Sequence, residues 1–228
     1  MTDLRLVVFD VDGTLIDSQH LIVAAMSAAF EEAGYRPPAK SAILSIVGLS
    51  LPVAVAALAP KIPLHDRAVI VEGYRLHFAA ARTVDGGEAT APLYPGAREV
   101  LDALAAEPST LLGVATGKAR RGLDHAFRAH DLGCYFVTAQ TADDHPSKPH
   151  PSMLEAALAE TGCTRERAVM IGDTEFDIVM GRTAGFATIG VTWGYHSEAR
   201  LREAGAHQII HGFEALPAAL AVIGEEAR

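Results

Sequence analysis

Four short stretches carry residue types able to do chemistry. The first is Asp10-Val11-Asp12-Gly13-Thr14, directly after the apolar run Leu4 to Phe9. Two carboxylates at a strand end can divide labour, one as nucleophile or metal ligand and the other as acid and base. The same residues also read as an acidic turn in which Asp12 or Thr14 caps the next helix. The second is Val114-Ala115-Thr116-Gly117-Lys118, where a hydroxyl and backbone amides at a helix start make an anion seat, or Thr116 is a plain N-cap. In the third, Ser147-Lys148-Pro149-His150-Pro151, prolines restrict a lysine that would otherwise be a solvated loop residue. The fourth is Ile171-Gly172-Asp173-Thr174-Glu175-Phe176-Asp177, with two acids four apart across a strand-to-helix junction. An oxygen-only cluster of that kind suits Mg2+, while the alternative is acids complementing a helix dipole.

Each stretch follows an element able to place it. Leu4 to Phe9 is short, apolar and rich in β-branched residues, the pattern of a strand buried on both faces. Similar runs recur at Thr110–Ala115, Tyr135–Thr138, Ala168–Ile171, Ala187–Val191 and Gln208–Ile210. Helical patterns at Gly96–Glu107, Ala119–His130, Pro151–Glu160, Glu175–Ala184 and Ser197–Ala204 separate them. The alternation predicts an α/β fold, a doubly wound parallel sheet with a Rossmann-like core, whose strand C-termini share one edge. Residues 16–91 break the pattern with helices only: Ser18–Ala33, Ala39–Val47, Leu51–Leu58 and Leu64–Arg82. The expected organisation is therefore a core of residues 1–15 and 92–228 with an inserted all-helical cap at 16–91. Hinges are expected near Ile16–Ser18 and Thr83–Pro92.

Of 228 residues half are hydrophobic, enough for a sizeable core. The net charge of -9 is the wrong sign for a nucleic-acid binder or for attraction to an anionic membrane. Two cysteines make no disulfide framework, and the apolar run ending at Asp10 is too short and too acidic for a signal peptide. No stretch is long enough for a membrane span, so a cytoplasmic protein is expected.

The ordered set DVDGT, Thr116, Lys148 and GDTEFD resembles the haloacid dehalogenase superfamily of aspartate-nucleophile phosphotransferases. The tracts Asp17-Ser18 and Tyr94-Pro95-Gly96-Ala97 resemble its phosphoglycolate phosphatase-like branch. The resemblance implies Asp10 as nucleophile, and Asp12 as acid and base that also lends its carbonyl to Mg2+. It implies Thr116 and Lys148 on the phosphoryl oxygens, Asp173 on the metal, and Asp177 ordering the metal's waters or Lys148. Gly117 stands where the family often has Asn, at little expected cost if only its amide meets phosphate. Asp12 itself argues against a dehalogenase, since those members lack it.

Gly48-Leu49-Ser50 falls at the place of the family's cap specificity loop, and Lys40, Arg75, His77 and Arg82 are candidates for a substrate carboxylate. The mutases of this branch carry a cap histidine twelve residues after the nucleophile, where this chain has Ile22. The expected activity is a Mg2+-dependent phosphatase of a small, phosphoglycolate-like metabolite. Alternatives are a β-phosphoglucomutase-like phosphomutase and a non-catalytic binding protein on the same scaffold. Asp10, Asp12, Asp173 and Asp177 should converge opposed chiefly by Lys148, an acidic excess that makes a metal obligatory.

Overall fold

The computed structural model describes residues 4–84 and 91–226, without the side chains of 82–84 and 224–226. Most of the expected Thr83–Pro92 hinge and the side chain of Arg82 therefore lie outside the described residues.

Six strands form one parallel sheet: β1 (Arg5–Phe9), β2 (Thr110–Thr116), β3 (Phe136–Thr141), β4 (Ala168–Gly172), β5 (Ala187–Val191) and β6 (Gln208–Ile210). Their spatial order is β3-β2-β1-β4-β5-β6. The order reverses between β1 and β4, so a crevice opens beyond the ends of those two strands. Alternation along β1 fills both faces. Val7 and Phe9 join a cluster with Val114, Ile171, Leu101 and Leu220, while Leu6 and Val8 pack with Met153, Met170 and Met180. Each such side chain contributes roughly 1.5–3 kcal/mol by leaving water.

The helices covering the sheet are α5 (Ala97–Ala105), α6 (Arg120–Ala129), α7 (Ser152–Thr161), α8 (Glu175–Ala184), α9 (Glu198–Glu203) and α10 (Leu216–Glu226). Between β1 and α5 come α1 (Gln19–Glu32), α2 (Lys40–Leu44), α3 (Leu51–Leu58) and α4 (Leu64–Val84). These four share an apolar cluster of their own, including Met26, Phe30, Ile43, Val55 and Ile70. The chain leaves the sheet and returns along one seam. Ile16 bridges Leu93 in antiparallel fashion, and Asp17 N donates to Pro92 O at 2.8 Å.

Three details differ from expectation. β3 lies later in the chain than Tyr135–Thr138, because its second half, Ala-Gln-Thr, is polar at the sheet's edge. α2 ends at Leu44, three residues short of Val47. The helix α10 was not expected; Leu216, Leu220 and Ile223 give it a buried face at helical spacing.

Candidate active site

Asp10 follows the last residue of β1, and its amide extends the ladder to Ile171 O at 2.9 Å. Gly13 then turns the chain at φ 90°, and any Cβ there would sit 2.3 Å from Asp173 Oδ2. Only glycine lets the loop after β1 come this close to the loop after β4. Thr14 Oγ1 donates to Asp173 Oδ1 at 2.9 Å, and Tyr195 N donates to Oδ2 at 2.9 Å. Across the junction into α8, Thr174 and Asp177 form a reciprocal capping box. Asp177 Oδ2 thus accepts from the amide and hydroxyl of Thr174, at 3.0 and 2.7 Å.

Lys148 ties these loops together. Its Nζ donates to Asp10 Oδ1 and to Asp177 Oδ1, both at 2.7 Å, and the side chain is fully buried. Oxygens of Asp10, Asp173 and Asp177 lie within 4.8 Å of one another. Burial pushes the Asp10 carboxyl up to about 7 against the pull of Lys148, with repulsion from Asp177 and Asp12 added. Burial, then Asp10 and Asp177, also hold Asp173 well above the usual carboxylate range. Burial opposes the Lys148 ammonium, yet Asp10 and Asp177 keep its pKa above the ordinary lysine value. One ammonium among three buried carboxylates leaves the cluster short of positive charge.

A divalent cation fits that shortfall. All donors are oxygens, as Mg2+ requires, and among the described residues Asp10 Oδ2 is buried with no hydrogen-bond partner. Both Asp177 oxygens are engaged by Lys148 and Thr174, as both Asp173 oxygens are by Thr14 and Tyr195, so Asp177 anchors the lysine from within the same oxygen cluster.

Asp12 sits in a second arrangement. Its Oδ1 pairs with Lys118 Nζ at 2.7 Å and accepts from Ser18 Oγ, which in turn lies 3.2 Å from Tyr195 Oη. Lys118, expected on substrate from the sequence, lines the cavity and also pairs with Asp12. One expectation is corrected: the acids are opposed by two lysines rather than chiefly by Lys148. Thr116 caps no helix, for the N-cap of α6 is Ala119; its hydroxyl accepts from Lys118 N at 3.2 Å.

The inserted helices close over this edge. A Cβ at Gly117 would lie 2.5 Å from Gly48 O and 2.8 Å from Leu49 O. Glycine at this position is therefore required by the approach of the Gly48–Ser50 loop, a stronger reason than tolerance of a lost Asn. Ser50 N donates to Ser147 Oγ at 2.8 Å, joining that loop to the residue beside Lys148. On the far side, His196 Nε2 lies 3.2 Å from Ser45 O. The partly open cavity of about 440 Å³ between the helices and this edge is lined by Asp10, Asp12, Thr116, Gly117 and Lys118 from the sheet side, and by Gly48, Leu49, Ser50 and Arg75 from the helical side. Of the other basic candidates, Lys40 lines a separate groove with Asp17 and His20, and His77 pairs with Glu32 at 2.7 Å.

Sequence reasoning missed Ser18 and Ser147 as partners, Thr14 as the Asp173 donor, and the whole 192–197 segment. There Trp193 Nε1 donates to Thr14 O at 3.0 Å, and Tyr195 and His196 make the contacts above. The short apolar run of β5, followed by Thr192-Trp193-Gly194, was the available signal, since the ends of β1, β2 and β4 carry site residues.

Comparison with known proteins agrees with this geometry. The haloacid dehalogenase-like hydrolase family matches residues 7–191. The chain is 34% identical to "Probable phosphatase IndB" of Dickeya dadantii, over 91% of this chain and 90% of that one. It is 26% identical to the phosphoglycolate phosphatase of Haemophilus influenzae, covering 94% and 97%, and 30% identical to the pyrophosphatase PpaX of Bacillus velezensis, covering 85% and 86%. A solved haloacid dehalogenase-like hydrolase from Streptococcus pneumoniae superposes with a TM-score of 0.82 at 26% identity, covering 96% of this chain and 99% of that one. The chain belongs to the haloacid dehalogenase-like hydrolase family. Among the described residues no helix is long and apolar enough to cross a membrane.

Proposed function

We propose that this chain is a cytoplasmic Mg2+-dependent phosphatase that cleaves a small phosphorylated metabolite through an aspartyl-phosphate on Asp10. Residues 16–91 act as a cap over a core of 1–15 and 92–228. The observation that carries this reading is the position of Asp10, which borders the substrate cavity while one of its oxygens rests on Lys148 and the other has no partner among the described residues.

Asp10 attacks phosphorus, forming the carboxyl-phosphate bond as the bond to the substrate alcohol breaks. Asp12 protonates the departing oxygen, and then takes a proton from the water that attacks phosphorus. That second displacement breaks the bond to Asp10 and releases phosphate. Ser18 and Lys118 fix the Asp12 carboxylate for both proton transfers. Lys148 and Thr116 hold phosphoryl oxygens, and the Gly117 amide adds a donor. Asp10, Asp173 and the Asp12 carbonyl would hold Mg2+, whose charge offsets that of the phosphate dianion.

Ile22, twelve residues after Asp10, lines the cavity where a mutase of this branch carries its histidine, which favours a hydrolase. A phosphoglycolate-like substrate enters from the resemblance and from the Haemophilus relative. It calls for a cation on the substrate carboxylate. Arg75 is the sequence's candidate, and in the structure it is paired with Glu72.

The test is phosphate release with Mg2+ from a panel of alkyl phosphates and pyrophosphate. Turnover is expected to stop with a chelator, return with Mg2+, and be lost in Asp10→Asn. No turnover by the wild-type chain, or full activity in Asp10→Asn, overturns the reading.

A further inference from the structure

Resting on the reading of Asp12 as acid and base, we infer that Tyr195 is a positioning residue for that acid. Its hydroxyl holds Ser18 and Ser18 holds Asp12, so that one carboxyl oxygen is left to face the departing alcohol. The contacts start on the sheet edge and cross into the inserted helices. Tyr195 N donates to Asp173 Oδ2 at 2.9 Å, while its ring packs against the apolar cluster of α1 to α4. Tyr195 Oη lies 3.2 Å from Ser18 Oγ, and Ser18 Oγ donates to Asp12 Oδ1.

The proton directions follow from the donor count. A serine hydroxyl has one proton, and a carboxylate oxygen only accepts. The Ser18 proton is therefore committed to Asp12, and Tyr195 is the donor to Ser18. Burial, then Asp12 and Asp173, hold the Tyr195 phenol above its ordinary pKa, so that proton is retained. Ser18 is also the N-cap of α1, where a serine oxygen ordinarily accepts from a helix amide, yet it makes no capping bond. Its oxygen accepts from the phenol instead, which leaves its proton aimed at Asp12. At 1% exposure, Ser18 has little access to bulk water that could replace the phenol. Lys118 Nζ meets the same Asp12 Oδ1 at 2.7 Å, so both partners grip one oxygen and Oδ2 is the one left for the leaving group.

An alkoxide leaving group needs the Asp12 proton and 4-nitrophenolate does not, so a fault in the acid shows as a difference between esters. The experiment measures kcat/KM for 4-nitrophenyl phosphate and for whichever of ethyl phosphate, glycerol phosphate and phosphoglycolate the wild-type chain cleaves fastest. Tyr195→Phe is expected to lose about five-fold on the alkyl ester and less than about two-fold on the aryl ester. In a Ser18→Ala background, where the link is already cut, Tyr195→Phe is expected to add less than about two-fold on either. Thermal unfolding checks that each variant folds. Should Tyr195→Phe fail, Tyr195→Met, also apolar and without a hydroxyl, is read by the same ratio. Equal loss on both esters, no loss on either, or a full further loss in Ser18→Ala overturns the inference and leaves the phosphatase reading standing. Hydrolysis of no alkyl phosphate by the wild-type chain overturns that reading itself.

Discussion

On the sheet edge, Asp10, Asp173 and Asp177 are at most 1% exposed, and each is bonded to named partners at hydrogen-bond distance. The helices that cover them meet the same cavity with Ile22, Met26, Val47, Leu49, Tyr74 and Phe78, which offer shape and little direction. The two halves touch at a few polar points: Ser50 on Ser147, Ser45 on His196, and Gly48 against Gly117. The contrast teaches where each task resides. Charge transfer at phosphorus needs groups fixed within a fraction of an ångström, so the floor is a closed network. The roof is more apolar, with Ser50 and Arg75 among its polar groups, and is joined to the floor by replaceable contacts.

Breaking the floor should have the largest effect. In Lys148→Ala, Asp10 and Asp177 lose their common partner while buried, a loss expected to cost about 3–5 kcal/mol of stability. Chemical denaturation should show the drop, and phosphate release should fall to background. If the variant is as stable as the wild type, the floor is not the tightly coupled network described here.

Breaking a link between floor and roof should do less. Ser147→Ala removes the acceptor of Ser50 N, worth about 1 kcal/mol, and should raise KM about five-fold with little change in thermal stability. A fall in kcat at constant KM would instead place Ser147 in the chemistry.

The smallest effect concerns pH. Burial, then Arg200, lowers the pKa of His196, whose Nδ1 accepts from Glu175 N at 3.1 Å and whose Nε2 faces Ser45 O. The folded protein thus keeps this ring neutral where the unfolded chain, with an ordinary value of about 6.5, would already bind a proton. Its contribution is present above about pH 6.5 and is lost as pH falls through the lower folded-state value. The stability gap between wild type and His196→Gln, on the order of 1 kcal/mol at pH 7, should narrow at pH 5 in denaturation curves.

The same contrast explains what could be read before the structure. Asp10, Asp12 and Asp173 were visible because ionisable side chains at the ends of apolar runs are rare, Asp177 by its spacing from Asp173, and Lys148 by the prolines around it. All six strands were visible for the complementary reason, except that edge strand β3 was shifted by its polar half. The pairing of Lys118 with Asp12 was not visible, because a lysine in an anion-binding turn looks the same whether or not it also meets a neighbouring carboxylate. Tyr195 was missed because it acts on Asp173 through its backbone N–H, which has no signature in a side-chain sequence. The roof gave least of all. Tyr74 and Phe78 are spaced like any buried helical pair, and only the cavity beside them distinguishes them from core.

The central claim is that Asp10 carries the phosphoryl group. Rapid quenching of wild-type chain during turnover, reduction with borohydride and peptide mass spectrometry tests it directly. The expected result is homoserine at position 10, formed only when both substrate and Mg2+ are present and absent in Asp12→Asn treated without substrate. A reduced residue at any other position, or none at position 10 under conditions where phosphate is being released, would contradict it.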